Sequence, residues 1–192
     1  QEIDLYDNIE IHPNKSQKLT IQCEGSIEVP NNSENLCMKA AQLIVNNYNI
    51  NCGLNIELYK NIPTGSGLGG GSSNAAAVLC VLNNMFELNI SNQRLHDLAF
   101  ELGCDIPFFI NGGIQISEGK GEKLTKLNID LSNYFILLIH PKFHVSTKWA
   151  YSFFKNNLPN TFDCDKFRSF QASPDWELFE NDFENIIKST YP

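Results

Sequence analysis

The segment Ile62-Pro63-Thr64-Gly65-Ser66-Gly67-Leu68-Gly69-Gly70-Gly71-Ser72-Ser73-Asn74-Ala75-Ala76-Ala77 holds five of the chain's twelve glycines, followed at once by two serines and an alanine-led apolar run that continues to Leu82. Glycine lets backbone N–H groups turn toward a ligand with no side chain in the way. A helix N-terminus adds unsatisfied donors and about half a positive charge. A strand-like stretch leads in, with Leu54, Ile56 and Leu58 alternating against Asn55, Glu57 and Tyr59, and a helical stretch leads out. A flexible linker would be polar on both flanks, which this segment is not. The pattern predicts a phosphate cradle at the start of a helix, with the backbone of Gly67 to Gly71 around the phosphates and ATP as the expected ligand. Ser72 and Ser73 stand where the helix is expected to begin, one hydroxyl capping it and the other reaching a phosphate or Mg²⁺.

Two familiar phosphate loops do not fit. A Walker loop ends in Gly-Lys-Ser/Thr, and no lysine lies between Lys60 and Lys120. The dinucleotide pattern G-x-G-x-x-G does match at Gly65 to Gly70, but Pro63 interrupts the approach, and the acidic residue at suitable distance, Glu87, falls at the end of the helix itself.

The loop resembles the P-x-x-x-G-L-G-S-S-A-A motif of the GHMP kinase superfamily, and its longer G-L-G-G-G-S-S-N-A-A form is similar to the 4-diphosphocytidyl-2-C-methyl-D-erythritol kinase family. Two further stretches resemble that family in order and spacing: Leu102-Gly-Cys-Asp-Ile-Pro-Phe-Phe109, like its G-A-D-V-P-F-F segment, and Ile116-Ser-Glu-Gly-Lys-Gly-Glu-Lys-Leu124, like its A-x-G-x-G-E-x-L stretch. The resemblance implies an α+β GHMP kinase fold, with a ribosomal protein S5 domain 2-like N-terminal part over residues 1–118 and part of a ferredoxin-like domain over 119–192. It implies ATP-dependent phosphorylation of the 2-hydroxyl of a cytidine diphosphate-linked polyol, with Mg²⁺, in the non-mevalonate route to isoprenoids. Asp105 then becomes the residue that polarises the acceptor hydroxyl, where the residues alone also allow a turn aspartate bonding its own backbone. Pro63, Gly65, Gly67, Leu68, Gly69, Gly70, Gly71, Ser72 and Ser73 become the nucleotide-binding set, and Thr147 and Tyr151 contact the substrate, the tyrosine by stacking on cytosine. An apolar pocket on the strand side of the loop, lined by Ile62, Pro63 and Leu68, is expected to take the adenine. Lys60, just before the loop, is within reach of the nucleotide but reads first as a solvated strand-end lysine.

Related readings are another GHMP kinase, for mevalonate or homoserine, and an inactive remnant that binds nucleotide. The family's N-terminal catalytic lysine, its G-Y-H segment and its C-terminal glycine-rich loop have no match in residues 1–192. The expectation is therefore an internal fragment, or a protein that has lost both ends, whose own activity depends on replacing those parts.

Composition sets the remaining bounds. A net charge of −8 disfavours nucleic acid as a partner. No apolar run approaches the ~20 residues of a membrane span, and the acidic first residues lack signal-peptide character, so a cytoplasmic location is expected. The six cysteines show no C-x-x-C spacing and suit reduced thiols. The four histidines show no metal-binding pattern.

Along the chain, strands are expected at Ile3–Ile11 and Lys18–Cys23, joined by a turn at His12-Pro-Asn-Lys, and at Leu54–Tyr59. Helices are expected after the Asn31–Asn35 start signal, from Ala75 to Phe86, and from Ser91 to Leu102. Phe108–Ile110 and Gly113–Ser117 read as a turn-linked strand pair. Tyr134–His140 reads as a strand buried on both faces, with weaker helices at Lys148–Phe154 and Trp176–Ser189.

Overall fold

A three-stranded sheet in the order β1-β3-β2 organises the first part of the chain. The computed structural model describes residues 1–25, 28–140, 145–154 and 181–191. The central strand β3 (Gly53–Lys60) has β1 (Asn8–Asn14) antiparallel on one side, Asn8 opposite Tyr59, and β2 (Leu19–Gly25) parallel on the other, Gly25 opposite Lys60. Because β3 lies between two strands that follow each other in sequence, the connection at residues 15–18 crosses its start. The Leu54 N–H donates to the Lys18 carbonyl at 3.0 Å. A Cβ at Gly53 would stand 2.4 Å from both the Lys18 oxygen and Asn14 Oδ1, so only glycine admits this crossing. The expected turn at His12 therefore lies later in the chain; His12 to Asn14 belong to β1.

Helices cover one face of the sheet. Asn35 caps α1 (Leu36–Asn47) by accepting from the Cys37 N–H, as the start signal predicts. The long helix α2 (Gly70–Met85) follows the glycine loop, and α3 (Asn92–Leu102) opens on Ser91, whose hydroxyl accepts from the Arg94 N–H. Leu54, Ile56 and Leu58 of β3 join Ile44 of α1, Val78, Leu79 and Leu82 of α2, and Leu98 of α3 in one apolar core. Small buried residues, Ala40 and Ala41 on α1 and Ala75 and Ala76 on α2, let these helices pack closely.

Residues 106–111 depart from expectation, forming α4 (Ile106–Asn111) rather than a strand. Pro107 sits in the first turn, where its missing N–H costs nothing. Gly112 and Gly113, at φ 58° and 76°, end the helix, and the Gln115 side-chain amide donates to the Phe108 and Gly112 carbonyls at 2.9 Å. The strand pair lies downstream, β4 (Gln115–Glu118) against β5 (Lys123–Lys126).

The chain divides into Gln1–Lys126 and Leu127–Pro192. A division after Glu118 would separate the paired residues Glu118 and Lys123 of this hairpin. The second unit contains α5 (Thr147–Ser152) and α6 (Glu184–Thr190). Trp149 packs edge-on against Phe153 and Tyr191, with centroids 4.9 and 6.1 Å apart. Tyr134–His140 forms no strand, and Phe135, Leu137 and Ile139 are exposed. A β-prone run becomes a strand only against a partner, and the described residues of this unit include no other strand. The expected helix start at Trp176 lies outside the described residues. No helix among the described residues is long and apolar enough to cross a membrane.

The packing of α2 gives a direct test. Leu79 is fully buried and Val81, on the same helix, is 41% exposed. Leu79→Ala should cost about 2–5 kcal/mol in urea unfolding, whereas Val81→Ala should stay within about 0.5 kcal/mol of the parent.

Candidate active site

β3 ends at Lys60 and α2 begins at Gly70, so residues 61–69 form the loop between them. Gly65, Gly67 and Gly69 all take left-handed conformations, at φ 68°, 76° and 67°. An L-residue would lose roughly 1–2 kcal/mol at each. Gly69 is the N-cap of α2 and supplies no side-chain cap, which leaves the first-turn N–H groups of a 16-residue helix open. The serines do not cap the helix, because the helix starts before them. Ser73 instead donates its hydroxyl to the Gly70 carbonyl at 2.9 Å. Ser66 shapes the loop from inside, donating to the Pro63 carbonyl at 2.7 Å.

Beneath the loop lies a buried ion pair. Lys60 Nζ bonds Asp7 Oδ2, with side chains 2% and 0% exposed. Asp7 Oδ1 also accepts from the Asn61 and Ile62 N–H groups at 2.7 and 2.8 Å, and Asn74 of α2 lines the same cleft as this carboxylate. Burial pushes the Asp7 carboxyl upward. The Ile62 N–H, the Lys60 ammonium, the Asn61 N–H and the Asn74 amide outweigh it and hold the group below its ordinary value. Lys60 is thus no solvated strand-end lysine. It occupies an inward position of β3, in step with Leu54, Ile56 and Leu58, and burial with a carboxylate is what that register demands.

The other two motifs meet this loop and each other through close contacts. A Cβ on Gly69 would stand 2.7 Å from the Phe109 ring, so α4 packs directly on the helix cap. A Cβ on Gly121, in the β4–β5 turn, would stand 2.4 Å from the Cys104 carbonyl oxygen. Asp105 lies between these contacts in sequence. Its carboxylate is exposed at the start of α4, makes no cap bond there, and is carried on a backbone anchored by the buried Ile106 and Pro107.

Two clefts flank the loop. One, of about 180 Å³, is lined by Thr64 and Gly71 with Val29, Pro30, Leu36, Leu58, Asn35 and Lys60. The other, of about 320 Å³, is lined by Leu68, Ile62 and Ser73 with Tyr6, Val81 and Phe109. Pro63 to Ser73 thus form one loop and helix start, to which α4 joins Asp105. Thr147 and Tyr151 belong to the second unit. Thr147 opens α5, and Tyr151 is exposed with its ring edge-on to Phe183 at 5.1 Å. Sequence reading missed Asp7, Asn74 and Ser66. Only Lys60 carried a signal, its place in the period-2 pattern of β3. Among the described residues no three His, Cys, Asp or Glu side chains gather as a metal site.

The chain is similar to several known proteins. The GHMP kinases N terminal domain family matches residues 35–113. The 4-diphosphocytidyl-2-C-methyl-D-erythritol kinase of Prochlorococcus marinus strain MIT 9215 is 46% identical over 186 residues, covering 97% of this chain and 56% of its own length. That of Clostridium botulinum strain Hall is 43% identical over 152 residues, covering 79% and 53%. The chain therefore spans about half the length of the curated relatives it matches. A crystal structure of 4-(cytidine 5'-diphospho)-2C-methyl-D-erythritol kinase superposes with a TM-score of 0.67 at 28% identity, covering 97% of this chain and 65% of the other. A homoserine kinase from Cytophaga hutchinsonii shares the fold, with a TM-score of 0.63 at 20% identity over 84% of this chain and 54% of its own.

Two outcomes follow from the loop. Gly67 and Gly69 share a left-handed backbone, but a Cβ on Gly67 meets nothing within 4 Å. Gly67→Ala should cost about 1–2 kcal/mol. Gly69→Ala should cost more, and Phe109→Ala should shrink the excess in a double-mutant cycle followed by urea unfolding. The second concerns acid. A carboxyl held below its unfolded value of about 3.9 contributes stability that is present above that pH and lost as pH falls through the folded value. Unfolding free energy should therefore decline below about pH 4, and the double variant Asp7→Asn/Lys60→Met should show a shallower decline in denaturant titrations at successive pH values.

Proposed function

Because this chain belongs to the GHMP kinases, we propose that it forms the nucleotide-binding part of a 4-diphosphocytidyl-2-C-methyl-D-erythritol kinase, passing the γ-phosphoryl group of ATP to the substrate's 2-hydroxyl. The observation that carries the reading is the uncapped N-terminus of α2, presented by three left-handed glycines. Phosphoryl transfer asks a protein mainly for positioning and charge neutralisation, and open N–H donors at a helix N-terminus supply both to an anion.

In this reading the N–H groups from Gly67 to Gly71 hold the β- and γ-phosphates. The cleft of Thr64, Gly71, Leu36 and Leu58 takes the adenine, with apolar walls for its ring and the Asn35 amide at its edge. This places the base beside α1 rather than on Ile62, Pro63 and Leu68. Mg²⁺ binds mostly through phosphate oxygens and water, so the nucleotide would hold most of the ion. Ser72 and Ser73 are the side-chain oxygens that would reach it or a phosphate, and the ion when bound neutralises phosphate charge. Asp105 orients the 2-hydroxyl and accepts its proton as the oxygen–phosphorus bond forms and the β–γ bridging bond breaks, releasing ADP. Thr147 and Tyr151 belong to the substrate side, where an exposed tyrosine face offers stacking for cytosine, worth about 1–3 kcal/mol. A cytoplasmic location is part of the proposal, supported by the free cysteines Cys23, Cys37, Cys52, Cys80 and Cys104.

The test is ADP release from ATP and Mg²⁺ by the purified chain, with and without 4-diphosphocytidyl-2-C-methyl-D-erythritol. Release should depend on the substrate. Asp105→Asn should lower it by about 10²-fold or more while leaving ATP affinity within about twofold of the parent. Near-normal turnover in that variant would remove Asp105 from the reaction, and a folded chain that binds ATP but releases no ADP would restrict the reading to nucleotide binding.

A further inference from the structure

Asp7 bonds to one end of the segment that builds the open helix face and lies in a shared cleft with the other end. One carboxylate oxygen accepts the Asn61 and Ile62 N–H groups where β3 gives way to the loop. Asn74, inside α2 and past the last glycine, shares a cleft with the same carboxylate and helps hold it ionised. Lys60 closes the set through its ammonium, in a pocket where both side chains are almost wholly buried. In an untethered chain the glycines between these anchors would each widen the conformations open to the loop by admitting positive φ. A tether across the two ends removes most of those alternatives before any ligand arrives.

We propose that Asp7 is a positioning residue for phosphate binding: through Asn61, Ile62 and Asn74 it fixes the glycine loop so that the α2 N–H groups stand ready for an anion. The inference rests on the reading of this loop as the phosphate site of a nucleotide. The role of Lys60 in it is to neutralise Asp7. A Cβ on Gly70 would stand 3.2 Å from Lys60 Nζ, so the ammonium lies directly under the first residue of α2. With its charge matched by Asp7, it leaves the phosphates to the backbone donors. An unmatched Asp7 carboxylate at this depth would repel the same phosphates.

This role predicts a separation of affinities that a purely structural one does not. The tether acts on the phosphate donors, and because Lys60 and Asn74 also line the adenine cleft, adenosine, which lacks the phosphates, reads any change made in the cleft itself. ADP and adenosine are titrated calorimetrically into the full 192-residue chain, into Asp7→Asn/Lys60→Met, which removes both charges together, and into Asn74→Ala, which keeps the ion pair. The ratio of ADP to adenosine affinity should fall about tenfold in the double variant and several-fold in Asn74→Ala. Loss of folded protein alone would weaken both ligands in proportion, so an unchanged ADP-to-adenosine ratio in the variants overturns the positioning role and leaves the nucleotide reading intact. If the double variant does not fold, Asn74→Ala decides by the same ratio. A folded parent chain that binds no ADP overturns both.

Discussion

The ion pair between Asp7 and Lys60 is the constraint on which the site depends. Taking two charges out of water costs several kcal/mol per ion, and their attraction returns this only when every remaining polar atom is satisfied. Here it is: two backbone N–H groups and the Lys60 ammonium bond the carboxylate, and no buried side-chain polar atom among the described residues lacks a partner. Such a pair adds little net stability over an apolar replacement, but removing one member strands a buried charge at about 3–5 kcal/mol. Its effect is geometric. The residue before β1, the end of β3 and the second turn of α2 are held at one point, and the loop between the last two has few ways left to close.

Around that point the three sequence motifs become one structure. The glycine loop, the Asp-Ile-Pro-Phe-Phe segment and the Gly-Lys-Gly-Glu turn are far apart in the chain, but each closes on the next where a side chain is missing. Phe109 fills the space over Gly69, and the Cys104 carbonyl fills the space over Gly121. Each of these glycines also has positive φ, so it is fixed twice, by backbone conformation and by a neighbour at van der Waals contact. Asp105 gains its place from the same two contacts. It sits on a short helix pressed against the cap of α2 at one end and against the hairpin turn at the other, which fixes the backbone that carries an otherwise exposed carboxylate.

Much of this was legible in the sequence, and what was not follows a physical pattern. The caps Asn35 and Ser91 act within three residues of themselves, so local reading finds them. The loop and its helix were legible because glycine and alanine act through the backbone. Asp7 was not, since its partners lie more than fifty residues away. Lys60 was misread although the alternation of β3 places it inward, because lysine at a strand end suggests solvent. Residues 108–110 were misread because two phenylalanines and an isoleucine are β-prone; a proline in the first turn and two glycines after the last outweighed them. For Tyr134–His140 the apolar run was visible, but strand formation depends on a partner that no local signal supplies.

The glycines also differ in what lies beside them. Gly69 and Gly70 would each drive a Cβ into protein, the first into Phe109 and the second into Ile62. Those two are glycine because the fold fills the space behind them. Gly67 has the same left-handed backbone, yet a Cβ there would meet nothing within 4 Å. Backbone conformation alone would admit asparagine at such a position at modest cost. Glycine keeps the space empty as well, and it does so just ahead of a helix whose first N–H groups lack a cap. In a chain of net charge −8 no general positive field draws an anion in, so local donors must hold it. A bare backbone beside an uncapped helix N-terminus, with a neutralised ion pair beneath it, would offer the proposed phosphate donors with no side chain in between.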